Sequence, residues 1–198
     1  MKKLLLLLAA VITTASVMAN DSISSNPSEK PSSVTSQNTE ANKVTGVAGV
    51  MFGDSKRSVS RALYSRCERI ESEKDLLKIY KLKVGGFMYE FCMFHFDGKN
   101  GLISVMLQKP FRLSEKEEAL ITLGNIKWQY QQKYTNMRLD VDTDEAKIYS
   151  CGASEPDYPY PPITISFHKS LSDQGKMWYY VQVIYYLYKG NNHNTDDI

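Results

Sequence analysis

The sequence predicts an α+β fold: two helix–strand–strand–strand units whose strands form one antiparallel sheet with the helices on one face. Three observations lead there. Between Gly85 and Leu107, two apolar runs flank Asp97-Gly98-Lys99-Asn100-Gly101, and glycine and asparagine supply the positive φ angles that a tight hairpin reversal needs. A helix followed by three strands is legible twice, although the residues of the two halves barely match. Strand runs with helices on one side form antiparallel sheets that are covered on one face.

The chain opens Met1-Lys2-Lys3, continues through the apolar run Leu4 to Ile12 and leaves it through Val17-Met18-Ala19. Two charges, a short apolar core and a small-residue exit make a secretory signal, expected to be removed after Ala19. The apolar run is too short to span a bilayer, so no transmembrane segment is expected after processing. No cysteine lies near the exit, which argues against a lipid-bearing N-terminus. Processing leaves 179 residues and lowers the formal net charge from +2 to 0. A neutral chain lacks the basic face that nucleic-acid binding needs. Export to the periplasm or beyond is the expected location, and it permits disulfides.

Residues 20–43 are rich in Ser, Thr, Asn, Pro and Glu and poor in large apolar side chains. They cannot bury enough surface to offset ordering, and read as a disordered tether. Residues 190–198 are a polar tail of the same kind. Between them, residues 44–189 form one α+β domain of two half-repeats, about 52–110 and 111–189, close to the usual single-domain size.

In the first half, Asp54 or Ser55 can cap a helix that carries Val59, Ala62, Leu63 and Cys67 at helical spacing. A strand around Leu77 to Lys83 precedes the long hairpin, and Pro110 closes the unit. In the second half, Ser114-Glu115-Lys116-Glu117 reads as a capping box. The helix it opens runs to about Tyr134, with Leu120, Leu123, Lys127, Gln131 and Tyr134 on one stripe. Strands follow at Ala146 to Cys151, Ile163 to His168 and Met177 to Tyr188, the last two joined by a turn from Ser170 to Gly175.

One set of residues resembles a known pattern. Phe52-Gly53-x-Ser55-x-x-x-Val59-x-x-x-Leu63, then Gly85-Gly86-Phe87, Phe94-x-Phe96 and Gly101-Leu102 are similar to a motif of small secreted bacterial proteins. These share the tandem helix–three-strand fold of β-lactamase-inhibitor proteins and small outer-membrane assembly lipoproteins. The resemblance implies the same fold and a cell-envelope setting; it supplies no inhibitory or catalytic residue.

Chemistry is sparse. Cys92 and His95 are three apart on a strand, so they point to opposite faces and cannot share an ion. His168 and His193 have no ligand spacing around them. Asp140, Asp142, Asp144 and Glu145 resemble a calcium loop, but the obligatory glycine at its sixth position and the distant glutamate are missing. A solvated turn before a strand is the expectation there. No Gly-x-Ser-x-Gly elbow and no phosphate-cradling glycine loop is present. No metal, no cofactor and no catalytic residue is therefore assigned. Three cysteines are an odd number, so at least one is free or intermolecular. If a bridge forms, Cys67 and Cys92 are the expected pair, with Cys151 free.

The aromatic residues are the anomaly: 13 Tyr, 7 Phe and 2 Trp. Pairing Phe94 with Val105 and Cys92 with Leu107 places Cys92, Phe94, Phe96, Ile103, Val105 and Leu107 beneath the helices. Phe87, Tyr89, Phe91, Met93 and His95 then share the opposite face. On the last strand, Tyr179, Val181, Val183, Tyr185 and Leu187 go inward; Trp178, Tyr180, Ile184, Tyr186 and Tyr188 go outward. An aromatic face where a solvated sheet is normally polar calls for a partner. The candidate contact residues are Phe87, Tyr89, Phe91, Met93, Trp178, Tyr180, Tyr186 and Tyr188. Tyr158 and Tyr160, in the proline-held run Asp157 to Pro162, form a candidate rim. The expected function is binding without catalysis, to a protein or other cell-envelope partner. Small-ligand or glycan binding on the same aromatics is the alternative, and an enzyme the third.

Overall fold

A computed structural model describes residues 42–153, 161–172 and 174–187. The segment expected to be a signal, nearly all of the expected tether, the run holding Tyr158 and Tyr160, and the tail with Tyr188 lie outside them. The described chain is α+β, with two α-helices, an eight-stranded antiparallel sheet and a two-stranded ribbon.

The chain enters at Asn42, which the sequence assigns to the tether. Here it is buried, and its side chain accepts a 2.8 Å bond from the Thr135 N–H. A small ribbon follows, β1 (Gly46–Val47) and β2 (Val50–Met51), with Val47 and Val50 in the core. Helix α1 spans Lys56–Leu63. Ser55 is its cap: the hydroxyl accepts the Ser58 N–H at 3.2 Å. Val59 and Leu63 are buried, four apart on the face turned to the sheet.

Four strands follow, not three: β3 (Arg69–Glu73), β4 (Leu76–Val84), β5 (Phe87–Asp97) and β6 (Gly101–Phe111). Helix α2 spans Lys116–Lys133. Four strands follow it as well: β7 (Arg138–Asp142), β8 (Ala146–Cys151), β9 (Ile163–Leu171) and β10 (Met177–Tyr186). The helix–three-strand units expected from the sequence are thus corrected to helix–four-strand units. The two strands missed, β3 and β7, are the edges of the sheet, whose order is β3-β4-β5-β6-β10-β9-β8-β7. Edge strands are short and charged because an unpaired apolar edge invites aggregation. Arg-Ile-Glu-Ser-Glu has a single large apolar residue, and Arg-Leu-Asp-Val-Asp alternates for only five residues inside an acidic run that reads as a solvated turn.

Each half is a meander, and the halves meet where β6 pairs with β10. Across this seam one face carries Leu77, Phe94, Val105 and Tyr185 in direct register. Both helices pack on that face, and Val59, Leu63, Ala119, Leu123 and Ile126 join its side chains in one core. The hairpin turn is held by Asp97, whose carboxylate accepts from the Lys99 N–H at 2.8 Å and from the Asn100 amide at 2.9 Å. Gly101 follows at φ +67°, and a Cβ there would lie 2.2 Å from the Gly53 carbonyl, so the position admits only glycine.

Candidate functional site

The face away from the helices is the candidate surface. Alternation along β4 and β5 decides what it displays. On β4, Leu77 and Ile79 face the helices, and so do Leu82 and Val84; on β5, Cys92, Phe94 and Phe96 do, and so do Phe87 and Tyr89. The inward positions skip one residue in each strand, at Lys81 and at Glu90. Lys81 adopts φ +54°, in the left-handed region, and the pairing is unchanged on both sides of it: Tyr80 opposes Phe91 and Leu82 opposes Tyr89. One extra residue in each strand at the same level preserves the ladder while exchanging the faces. Its side chains, Lys81 and Glu90, are exposed.

This corrects the sequence-based surface at two positions. Tyr89 is 2 % exposed and sits in the core, and Phe87 packs against that core. Tyr89 joins a group of tyrosines under α2. The Tyr130 and Tyr185 hydroxyls hydrogen bond to each other, and the Tyr130 ring stacks on Tyr134 at 6.1 Å. Burial drives the hydroxyl pKa of Tyr89, Tyr130 and Tyr185 upward.

Phe91, Met93, Trp178 and Tyr180 are on the open face, all half-buried, and Tyr186 is there and exposed. They do not make one patch. Register places Phe91 beside Tyr80 on β4, with ring centroids 5.5 Å apart, and the Arg69 guanidinium lies 4.1 Å from the Tyr80 ring centre. Tyr180 instead opposes His168 on β9, the rings stacked at 5.8 Å, with Trp178 beyond it. Tyr186 is at the other end of β10, opposite Ser104.

Between the two aromatic clusters runs a polar row. Phe91 opposes Gln108, Gln108 opposes Gln182, and Gln182 opposes Ser166. Gln182 and Ser166 are each 6 % exposed. Among the described residues no side-chain nitrogen or oxygen that is shut off from solvent lacks a hydrogen-bond partner. A neighbouring row is apolar, with Met93, Met106 and Ile184 in register. The two faces of these strands therefore differ in kind: the helix side is apolar throughout, and the open side is a polar centre with apolar and aromatic flanks.

The sequence missed Tyr80, Arg69, His168 and the glutamine pair. Tyr80 was findable, since it lies one residue beyond Ile79 within the expected strand; Arg69 is on edge strand β3, and the glutamine pair required the β6–β10 register, which no local signal gives. His95 and His168 both face this open side, and burial lowers the pKa of each, so both stay neutral at pH 7.

The remaining candidates place as follows. Cys67, Cys92 and Cys151 are free thiols, so the Cys67–Cys92 bridge is not formed. Burial pushes the Cys92 and Cys151 thiols up to about 12, against the thiolate that oxidation requires. The carboxylates after α2 engage lysines instead: Asp142 pairs with Lys147, and Glu145 pairs with Lys169 at 2.8 Å. Among the described residues no helix is long and apolar enough to cross a membrane. No protein-family model, curated protein or solved structure matches the chain.

Proposed function

We propose that this chain is an exported binding protein without catalytic activity, which docks a macromolecular cell-envelope partner on its open sheet face. The observation that carries the proposal is the make-up of the open face: Phe91 against Tyr80 on one side and Tyr180 against His168 on the other, flanking the low-exposure polar pair Gln182 and Ser166. Half-buried Phe91, Tyr80, Tyr180 and Trp178 provide the large, rigid area that contact surfaces use. The resemblance to β-lactamase-inhibitor proteins and outer-membrane assembly lipoproteins points to the same envelope setting, and rests on the first-half residues alone.

The test is photo-crosslinking in the native envelope. A photoreactive residue replaces Phe91 or Tyr180, with Trp128 on the outer face of α2 as control. The proposal expects one macromolecular adduct from both open-face positions and none from Trp128. Adducts at Trp128 alone would refute it. A second reading, glycan binding, is favoured by the glutamine pair beside stacking rings. It predicts saturable binding heat with oligosaccharides, abolished in Gln182→Leu, and no protein adduct.

A further inference from the structure

Helix α1 breaks two local rules. Its sequence is Lys-Arg-Ser-Val-Ser-Arg-Ala-Leu, with no acidic residue in the first turn, where Lys56 and Arg57 oppose the helix dipole. Arg57 and Arg61 are four apart on one side, a like-charge pair that weakens a helix. Ser55 caps the helix and Lys56 is held by backbone carbonyls, but Arg57 and Arg61 are left exposed to solvent. Among the described residues neither guanidinium has an ion-pair partner, and the nearby carboxylates are engaged elsewhere. Glu71 and Glu73 are on the opposite face of β3, paired with Arg69 and Lys78. Natural sequences break local rules chiefly at functional or strained sites.

These charges line a groove of about 460 Å³ between α1 and the β3–β4 hairpin. Lys56 is fixed there, its ammonium donating to the Glu73 and Lys74 carbonyls at 2.7 and 3.1 Å. The hydroxyl-bearing Ser60, Ser72 and Tyr64 share the lining. We infer that this groove is an anion site, separate from the open sheet face, for a ligand bearing a tetrahedral oxyanion such as a phosphate. Guanidinium groups bind such oxygens in pairs, the fixed ammonium adds a point charge, and hydroxyls donate to the remaining oxygens. The groove is open to solvent, so it admits an oxyanion carried on a larger molecule as well as a free one.

The test uses the processed chain and two probes: inorganic phosphate, followed by calorimetry, and vesicles of phosphatidylglycerol in phosphatidylcholine, followed by co-sedimentation. The variant is Arg57→Ala/Arg61→Ala, and the charge-matched control is Lys83→Ala/Lys176→Ala. The inference expects saturable binding of at least one probe, reduced tenfold or more in the arginine variant and unchanged in the control. Binding of phosphate assigns a soluble ligand; binding of vesicles alone assigns a lipid headgroup. Its thermal midpoint should equal or exceed the parent's, because a repulsive pair is removed. Three results would each overturn the site: no binding of either probe, equal loss in the control, or a lowered midpoint that marks the arginines as structural.

Discussion

Replacing Tyr89 by alanine measures the face exchange directly. Plain alternation from Phe91 would leave Tyr89 on the open side, where truncation costs little. The paired extra residues at Lys81 and Glu90 put it in the core instead, 2 % exposed under α2. A buried aromatic truncated to alanine loses about 3–5 kcal/mol from transfer and cavity together. For a domain of this size that lowers the thermal midpoint by roughly 2–4 °C per kcal/mol, so about 6–20 °C. Phe91, two residues on, is half-buried and touches chiefly the Tyr80 ring. Its truncation should cost only about 1–2 kcal/mol, the size of an exposed-side aromatic pair with part of its area. Urea titration of the two variants gives both values, provided the m-values match the parent's. A Tyr89→Ala variant within about 1 kcal/mol of the parent, with Phe91→Ala the more damaged, would refute the exchange.

Three further outcomes follow from the same geometry. Tyr130→Phe leaves the Tyr185 hydroxyl without its partner and should cost about 1–3 kcal/mol, whereas Tyr130→Phe/Tyr185→Phe should cost less than the sum of the single changes; additivity in urea melts would exclude the bond. Under native conditions iodoacetamide should label Cys67 first, because Cys92 and Cys151 are fully buried; mass spectrometry showing three labels before unfolding would contradict the core. His168 has a folded pKa below its ordinary value of 6.5, so on acidification the unfolded chain takes up the proton first. Stability should therefore be full above that value and fall as pH drops below it, and His168→Gln should reduce the slope of the midpoint between pH 7 and 5; an unchanged slope would remove His168 as a contributor.

The strongest local signals carried furthest. The hairpin turn and the pairing of Phe94 with Val105 and of Cys92 with Leu107 are read from the sequence as they stand in the sheet. Strand β8 falls within its expected limits, and α2 ends within a residue of Tyr134. Its start does not follow the expected box: the Glu115 carboxylate accepts from the Arg112 N–H at 2.7 Å, one turn of 3-10 helix earlier. Ser114 and Glu117 matched the motif, but so did no backbone geometry around them. The inward stripe of α2 is Ala119, Leu123 and Ile126, completed by Tyr130; polar Lys127 and Gln131 had taken that place because small and tyrosine side chains blur the period. Leu102 replaces Ile103 in the core because the register shifts between His95 and Phe96. The open face was legible strand by strand, but its division into two aromatic clusters was not. That depends on β10 lying between β6 and β9, a pairing between residues far apart in the chain.

The position of β10 also sets when the sheet can exist. The last of the described strands is a central one, with β6 on one side and β9 on the other. Until Tyr186 has left the ribosome, the two meanders are half-sheets that end in unsatisfied inner edges, Gly101–Phe111 on one and Ile163–Leu171 on the other. Local meanders close early, since few residues separate their pairs, while the seam joins Phe111 to Tyr179 over a long loop. The sheet therefore becomes continuous, and both inner edges bury their free N–H and C=O groups, only when β10 inserts between them.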